Sequence, residues 1–151
     1  MPEPKSPAAR PTHVFPLRVY YEDTDAAGIV YYANYLKFAE RARTEFMRSC
    51  GIEHKELLEQ EGIAFAVRRC EADYLKPARL DDLIEVHTRL LELRGASLEA
   101  EQVVCRGADE LARLRLKLAC MGRGGRPARL PKRLAESLSA TLTPINEPAR
   151  T

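Results

Sequence analysis

The 151-residue sequence predicts an α+β domain in which one long helix packs against one antiparallel sheet. A strand-like segment comes first, a long amphipathic helix follows it, and four segments with two-residue apolar alternation come after the helix. A hydrophobic content of 45% in a chain of this length suits one domain with a sizeable core. We expect that domain to span 14–140, with a disordered proline-rich tail at 1–13 and a flexible tail at 141–151.

The first strand is predicted at 14–21, where Leu17, Val19 and Tyr21 share one face. The long helix begins near Asn34, whose side-chain oxygen can accept a hydrogen bond from an unpaired N–H of the first turn. Its apolar residues recur at steps of three and four and therefore form one buried stripe. They are Tyr35, Phe38, Ala39, Ala42, Phe46 and Met47.

Glycines mark the end of this helix and the start of the strands. Gly51 supplies the left-handed residue that follows the long helix, and a short second helix is predicted at 53–60. From Gly62 the apolar period becomes two, with one parity change that predicts a β-bulge near Arg68 and Arg69. Three further strands are predicted around 84–90, 98–104 and 112–120.

Charge predicts the register of the last hairpin. With a three-residue loop at 107–109, Glu101 lies opposite Arg115 and Glu99 lies opposite Lys117. A two-residue loop would lose both matches, so the longer loop is predicted. Each pair contributes only tenths of a kcal/mol, because both partners lie on the solvated face.

One helix cannot cover the whole sheet. At about 10 Å in diameter it covers about half of a sheet whose strands are about 4.8 Å apart. We therefore expect that another copy covers the rest, in a homodimer or a dimer of dimers. A C-terminal helix is predicted at 132–140.

Composition excludes several classes of protein. A net charge of +2 gives no field strong enough to indicate nucleic acid or an anionic membrane as a partner. No apolar stretch is long enough for a transmembrane segment, and the N-terminus lacks a secretory h-region, so a cytoplasmic location is expected.

Cysteines and histidines give no indication of a metal. The cysteines form no CxxC pair and are expected to be small buried hydrophobic residues. They are Cys50, Cys70, Cys105 and Cys120. The histidines have no metal-ligand partner at useful spacing and are expected at the surface or at helix caps. They are His13, His54 and His87.

The densest polar cluster is the segment 21–28, YEDTDAAG, between the first strand and the long helix. A calcium loop is rejected, because Ala27 and Asn34 stand where an EF-hand starting at Asp23 needs ligands. Two interpretations of this segment remain, an Asx-turn and a catalytic carboxylate. Asp25 precedes a helix whose unpaired N–H groups can stabilise a developing negative charge, as attack on an activated acyl group requires.

Residues 18–46, RVYYEDTDAAGIVYYANYLKFAERARTEF, closely resemble the N-terminal signature of the 4-hydroxybenzoyl-CoA thioesterase family of hot-dog-fold proteins. They are most similar to its Tol–Pal-associated acyl-CoA thioesterase branch. YLKPARLDD at 74–82 matches a second family segment, and RGASL at 94–98 matches a weaker third. The resemblance spans about 14–122. It implies a hot-dog fold, with one long helix packed against a curved antiparallel sheet, and hydrolysis of acyl-CoA thioesters at a site shared between two subunits.

The resemblance also implies roles for individual residues. Asp25 matches the catalytic carboxylate, as a nucleophile or as a general base for water, and the backbone N–H of Tyr32 would polarise the thioester carbonyl. Gly28 and Asn34 would support this arrangement, with Asn34 holding the helix start in place. Tyr32 stands where the nearest branch usually carries His, and Ala27 replaces a common glycine.

Three more residues are candidates for the site. Glu40, two turns into the long helix, is either a pocket-lining acid or a solvated helix residue. Arg94 is a candidate contact for CoA. Arg126 belongs to a cluster of cations at 123–133 that is either a solvated loop or a platform for the CoA phosphates.

We therefore expect an acyl-CoA thioesterase that needs no metal or prosthetic group, since CoA is part of the substrate. An acyl carrier protein is a further candidate partner. A dehydratase-like enzyme of the same fold would want a histidine near the helix, and 14–53 contains none. The alternative from another class is a non-catalytic module that binds acyl-CoA or acyl carrier protein. A serine hydrolase is not indicated, because the sequence has no GxSxG.

Overall fold

The computed structural model describes residues 12–143 and has the predicted α+β architecture. Five antiparallel strands form one sheet in the order β1-β3-β4-β5-β2. The strands are β1 His13–Arg18, β2 Ala64–Tyr74, β3 Leu83–Arg94, β4 Ser97–Arg106 and β5 Asp109–Met121. The helices are α1 Asn34–Ser49, α2 His54–Glu61 and α3 Lys132–Ser139.

Helix α1 buries the six apolar residues that the spacing predicts, which confirms the stripe. Gly51 follows the helix at φ 84°, and its N–H donates to the carbonyl of Arg48 at 2.9 Å. The predicted cap is wrong: Asn34 is already helical, Ala33 precedes it, and no side chain caps the first turn. The side chain of Asn34 instead donates a hydrogen bond to the acidic turn.

The β-bulge of β2 lies between Val67 and Arg69, as predicted. The register of the last hairpin is also confirmed, with Glu101 opposite Arg115. The predicted three-residue loop is wrong, because Arg106 pairs with Asp109 across a two-residue turn. A register shift between Val104 and Cys105 restores the predicted offset. Charge matching therefore predicted the correct register, but a bulge rather than a longer loop produces that register.

Ion pairs on the outer face of the sheet connect three strands. The Glu101 carboxylate contacts Arg89 on β3 at 2.7 Å and Arg113 on β5 at 2.8 Å. Arg115, directly opposite Glu101, contacts Glu99 at 3.7 Å instead. Side chains on this face thus pair across the sheet as well as along the predicted register.

Three local predictions need correction. The first strand ends at Arg18, and Tyr21 is exposed in a short 3-10 turn. Cys70 is exposed and Cys105 half-buried, because each lies near a sheet edge or strand end; Cys50 and Cys120 are buried as expected.

The two predicted tails lie mostly outside the described residues, which exclude 1–11 and 144–151. His13, assigned to the first tail, begins β1. The N–H of Thr143, assigned to the second tail, donates to the carbonyl of Leu90 at 2.8 Å. The described parts of both segments are therefore bonded to the domain and correct the predicted boundaries.

Candidate active site

Asp25 lies in a tight turn between β1 and α1. Its N–H donates to the carbonyl of Ile29 and its carbonyl accepts from the N–H of Gly28, both at 2.9 Å. Gly28 has φ 79°, which glycine adopts without strain. The Asp25 Oδ1 accepts the N–H of Ala27 at 2.8 Å. The turn is therefore an Asx-turn, and the other carboxylate oxygen has no hydrogen-bond partner within 12–143.

Backbone and side-chain hydrogen bonds fasten this turn to the start of α1. The carbonyl of Asp23 accepts from the N–H of Tyr31 at 3.0 Å and from the side-chain amide of Asn34 at 2.9 Å. The Asp23 carboxylate accepts the N–H of Tyr20 at 2.8 Å. The position of Asp25 is thus coupled to the first turn of the helix.

Tyr32 lies two residues before Asn34, the first residue of α1. In the described part of the chain its backbone N–H donates to no protein acceptor, while its carbonyl accepts from the N–H of Tyr35. Its side chain is 60% exposed and makes an edge contact with the ring of Tyr74 at 5.9 Å. A free amide at the positive end of a helix can stabilise an oxyanion.

The second family-like segment, 74–82, packs against the same turn. The carbonyl of Ala78 accepts from the N–H of Val30 at 2.9 Å, and the N–H of Ala78 donates to the phenol oxygen of Tyr35 at 3.0 Å. Burial raises the pKa of Tyr35, so the phenol stays neutral. A loop distant in sequence therefore supports the turn of Asp25.

Asp82 fixes the end of this loop. Its carboxylate accepts from the N–H of Arg79 at 2.8 Å and from the guanidinium of Arg106 at 2.7 Å. Burial acts to raise the pKa of Asp82, but the hydrogen bond from Arg79 and the charge of Arg106 outweigh it, so the pKa is lowered.

A groove runs between α1 and β2. Its upper part has a volume of about 300 Å³ and its lower part about 270 Å³, and both are lined by Glu40, Arg43 and Val67. The lower part reaches Leu36, one helical turn beyond Tyr32. Glu40 is exposed and also lines the groove. Its position is therefore compatible with both predicted roles, a solvated helix residue and a pocket-lining acid.

Arg94 and Arg126 lie away from Asp25. The turn of Asp25 contacts Arg79, just before β3, whereas Arg94 ends β3. A strand of 12 residues is about 40 Å long, so one chain does not bring Arg94 to Asp25. Arg94 is exposed and pairs with Glu92 at 2.7 Å. Arg126 is also exposed, in the loop after β5.

Sequence reasoning missed two residues that line or support the groove. Arg43 lines both parts of the groove, but it lies outside the apolar stripe of α1 and was therefore given no role in the prediction. Gln102 is fully buried beneath α1. One signal could have identified it: Gln102 is a polar residue on the apolar face of a predicted strand.

Among residues 12–143, no group of three His, Cys, Asp or Glu side chains could hold a metal ion. His87 contacts Glu85 at 3.0 Å, and His13 packs edge-on against Phe46. His54 lines the upper groove, where burial lowers its pKa. None of the described helices is both long and apolar enough to cross a membrane.

Comparison with known proteins identifies the class that this fold and site define. The sequence profile of the thioesterase-like superfamily matches residues 19–138. The chain belongs to this superfamily, which confirms the expected family and hot-dog fold.

Its relatives include named enzymes. The chain is 45% identical over 119 residues to the acyl-CoA thioesterase YbgC of Haemophilus influenzae, covering 78% of this chain and 88% of that protein. It is 45% identical over 97 residues to the acyl-CoA thioester hydrolase YbgC of Escherichia coli O6:H1, covering 64% and 72%. The crystal structure of a probable thioesterase from Bartonella henselae matches with a TM-score of 0.77 and 39% identity, covering 80% of this chain and all 100% of that one.

Proposed function

We propose that this chain is an acyl-CoA thioesterase that hydrolyses acyl-CoA thioesters to a free acid and CoA. The observation that carries the proposal is the coupling of a carboxylate, Asp25, to a helix start with a free backbone N–H at Tyr32. The names of the YbgC relatives support the same activity. No metal or prosthetic group is needed for it.

The chemistry suits this equipment. A thiolate leaves readily because a thiol has a pKa of about 8.5, so no strong acid is required. In one route Asp25 takes a proton from water as the water oxygen attacks the acyl carbon; the C–S bond then breaks, CoA leaves as a thiolate, and the proton passes from Asp25 to that thiolate or to solvent. In the other route Asp25 attacks the acyl carbon itself, CoA leaves, and water hydrolyses the mixed anhydride. In both routes the N–H of Tyr32 would stabilise the oxyanion.

We further propose that the active site is completed by a second copy of the chain. Asp25 is exposed in the single chain, and β2 is an edge strand with exposed apolar residues such as Val67, at 48%, and Tyr74, at 45%. Two copies related by a two-fold axis and paired through β2 would run antiparallel. The partner's end of β3 would then point toward the end that carries Asp25, which supports Arg94 as a CoA contact across the interface.

The decisive experiment is Asp25→Asn, assayed by thiol release from acetyl-, hexanoyl-, palmitoyl- and benzoyl-CoA. We expect turnover to fall by at least about a hundredfold while the affinity for CoA esters is largely kept. Glu22→Gln, an exposed neighbour without a hydrogen-bonded side chain in the described residues, is the matched control and should keep normal turnover. Near-normal turnover by Asp25→Asn would overturn the assignment.

The same assay decides between the enzyme and a binding module. Tight binding of these esters by the wild type with no thiol release would favour a non-catalytic module for acyl-CoA or acyl carrier protein. Acyl carrier protein is proposed as a further partner, because it carries acyl groups through the same thioester. A cytoplasmic location is also proposed, supported by four free cysteines, which are typical of reducing compartments.

A further inference from the structure

The groove between α1 and β2 contains a cation whose position is fixed from below. The guanidinium of Arg43 donates to the side-chain oxygen of Gln102 at 3.1 Å. Burial lowers the pKa of Arg43, but a guanidinium stays charged in proteins at neutral pH. The groove therefore holds a positive charge that is partly removed from water.

Gln102 can hold Arg43 in only one way. Its amide nitrogen donates to the carbonyl of Ala39 on α1 and to the hydroxyl of Thr88 on β3, both at 2.9 Å. The carbonyl of Ala39 can only accept, so the amide nitrogen must face it and the amide oxygen must face Arg43. Thr88 and Gln102 are both fully buried. This network therefore fixes the orientation of the Gln102 amide, whose oxygen holds one N–H of Arg43 from the interior of the domain.

The charge of Arg43 has no close counter-ion. In the described part of the chain no carboxylate lies within 4.0 Å of its guanidinium, and its bond to Gln102 uses one of five N–H donors. Glu40 attracts Arg43 from a greater distance. Among the residues that line the two parts of the groove, Lys37 and Arg43 are cations and Glu40 is the single carboxylate. The groove thus carries a surplus of positive charge.

The position of Arg43 relative to the proposed oxyanion site indicates its ligand. Arg43 is eleven residues beyond Tyr32, of which the nine counted from Asn34 span about 13 Å along the helix, and its side chain tilts back toward the helix start. An acyl group bound at Tyr32 and directed along the groove would reach Arg43 with its distal end. Apolar side chains, including Val67 and Leu116, line the lower part of the groove beside Arg43.

We infer that Arg43 is a specificity-determining residue for acyl groups whose distal end carries a carboxylate, and that Gln102 is its positioning residue. The inference rests on the proposed thioesterase function. A carboxylate can accept two parallel N–H bonds from a guanidinium, which is the geometry that Arg recognises best. The half-buried guanidinium of Arg43 has lost part of its hydration, and a bound carboxylate would replace that hydration with charge-assisted hydrogen bonds.

The test compares adipyl-CoA with hexanoyl-CoA, which have the same number of carbons and differ in the terminal carboxylate. The wild type should favour adipyl-CoA in kcat/KM by about tenfold or more, as expected for a hydrogen bond to a charged group. Arg43→Met should abolish this preference, because it should raise KM for adipyl-CoA by a much larger factor than KM for hexanoyl-CoA. Arg43→Lys, which keeps the charge without the planar fork, should keep part of the preference.

Gln102→Met tests the positioning role. It should raise KM for adipyl-CoA several-fold more than KM for hexanoyl-CoA while the ratio of the two kcat values stays the same, a pattern that general loss of structure would not produce. Arg41→Met, an exposed arginine on the same helix, is the matched control and should leave the preference intact. Thermal unfolding of each variant identifies any that does not fold. If Arg43→Met or Gln102→Met does not fold, the preference for adipyl-CoA is compared between Arg43→Lys and Arg41→Met.

The outcomes separate this inference from the proposed function. If the wild type hydrolyses hexanoyl-CoA without favouring adipyl-CoA, or if Arg43→Met affects both esters equally, the inference is overturned and the thioesterase assignment stands. If the wild type releases thiol from neither ester nor from those in the Asp25 assay, the proposed function fails as well.

Discussion

The side-chain amide of Asn34 donates a 2.9 Å hydrogen bond to the backbone carbonyl of Asp23, two residues before Asp25. This bond joins the first residue of α1 to the turn that carries the proposed catalytic carboxylate. The distance between that carboxylate and the free N–H of Tyr32 is therefore held by one side chain in addition to the backbone. Reaction geometry of this kind tolerates little displacement.

Asn34→Ala is expected to lower kcat by about ten- to a hundredfold, because the turn can then shift relative to the helix start. The free energy of unfolding should fall by only about 1 kcal/mol, the usual net value of one hydrogen bond. Thiol release and denaturant titration measure the two effects. Asn34→Asp, which has nearly the same shape but no N–H donor, should lose activity similarly; normal activity in both variants would contradict this role.

Asp82 should make the domain sensitive to acid. Its pKa is lowered in the folded state by Arg79 and Arg106, so its stabilising contribution is present above the ordinary pKa of 3.8 and is lost as the pH falls below it. Asp82→Asn should therefore show a smaller decrease in the free energy of unfolding than the wild type between about pH 5 and pH 3. Chemical denaturation across this range measures it.

The control for that experiment is Asp81→Asn. Asp81 is exposed, its carbonyl rather than its carboxylate bonds Arg18, and asparagine tolerates its φ of 71°. An equal loss of acid sensitivity in both variants would show that the carboxylate pair of Asp82 and Arg106 is not its source.

Val67→Lys is expected to disrupt the proposed dimer. Val67 is exposed on the β2 edge, and a lysine there opposes strand pairing between copies. Sedimentation velocity should show a shift from dimer or dimer of dimers to monomer, accompanied by loss of turnover. Val14→Lys provides the control, since Val14 is similarly exposed, at 42%, on the opposite edge strand β1. An active monomeric wild type would contradict the shared site.

Local pattern was sufficient for the elements and much of their pairing. The stripe of α1, the bulge beside Arg69 and the register of Glu101 follow from periodicity and charge, which act between neighbours in sequence or across one hairpin. The loop at 107–109 was wrong because a bulge elsewhere in the hairpin gives the same register as a longer loop. A longer loop and a bulge therefore place the same charged residues opposite each other.

The sequence by itself determined the α+β class, the long helix and the acidic turn before it, because each depends on spacing along the chain. Only the tertiary structure decided what surrounds these elements. It shows that the loop of Ala78 supports the turn and that Gln102 bonds Arg43. It also shows that Arg94 lies at the end of β3 that is distant from Asp25. Gln102 and Arg43 are 59 residues apart in sequence. Contacts between such residues arise when a helix packs on a sheet. The hydrophobic period predicts that this packing occurs, but it does not predict which side chains meet.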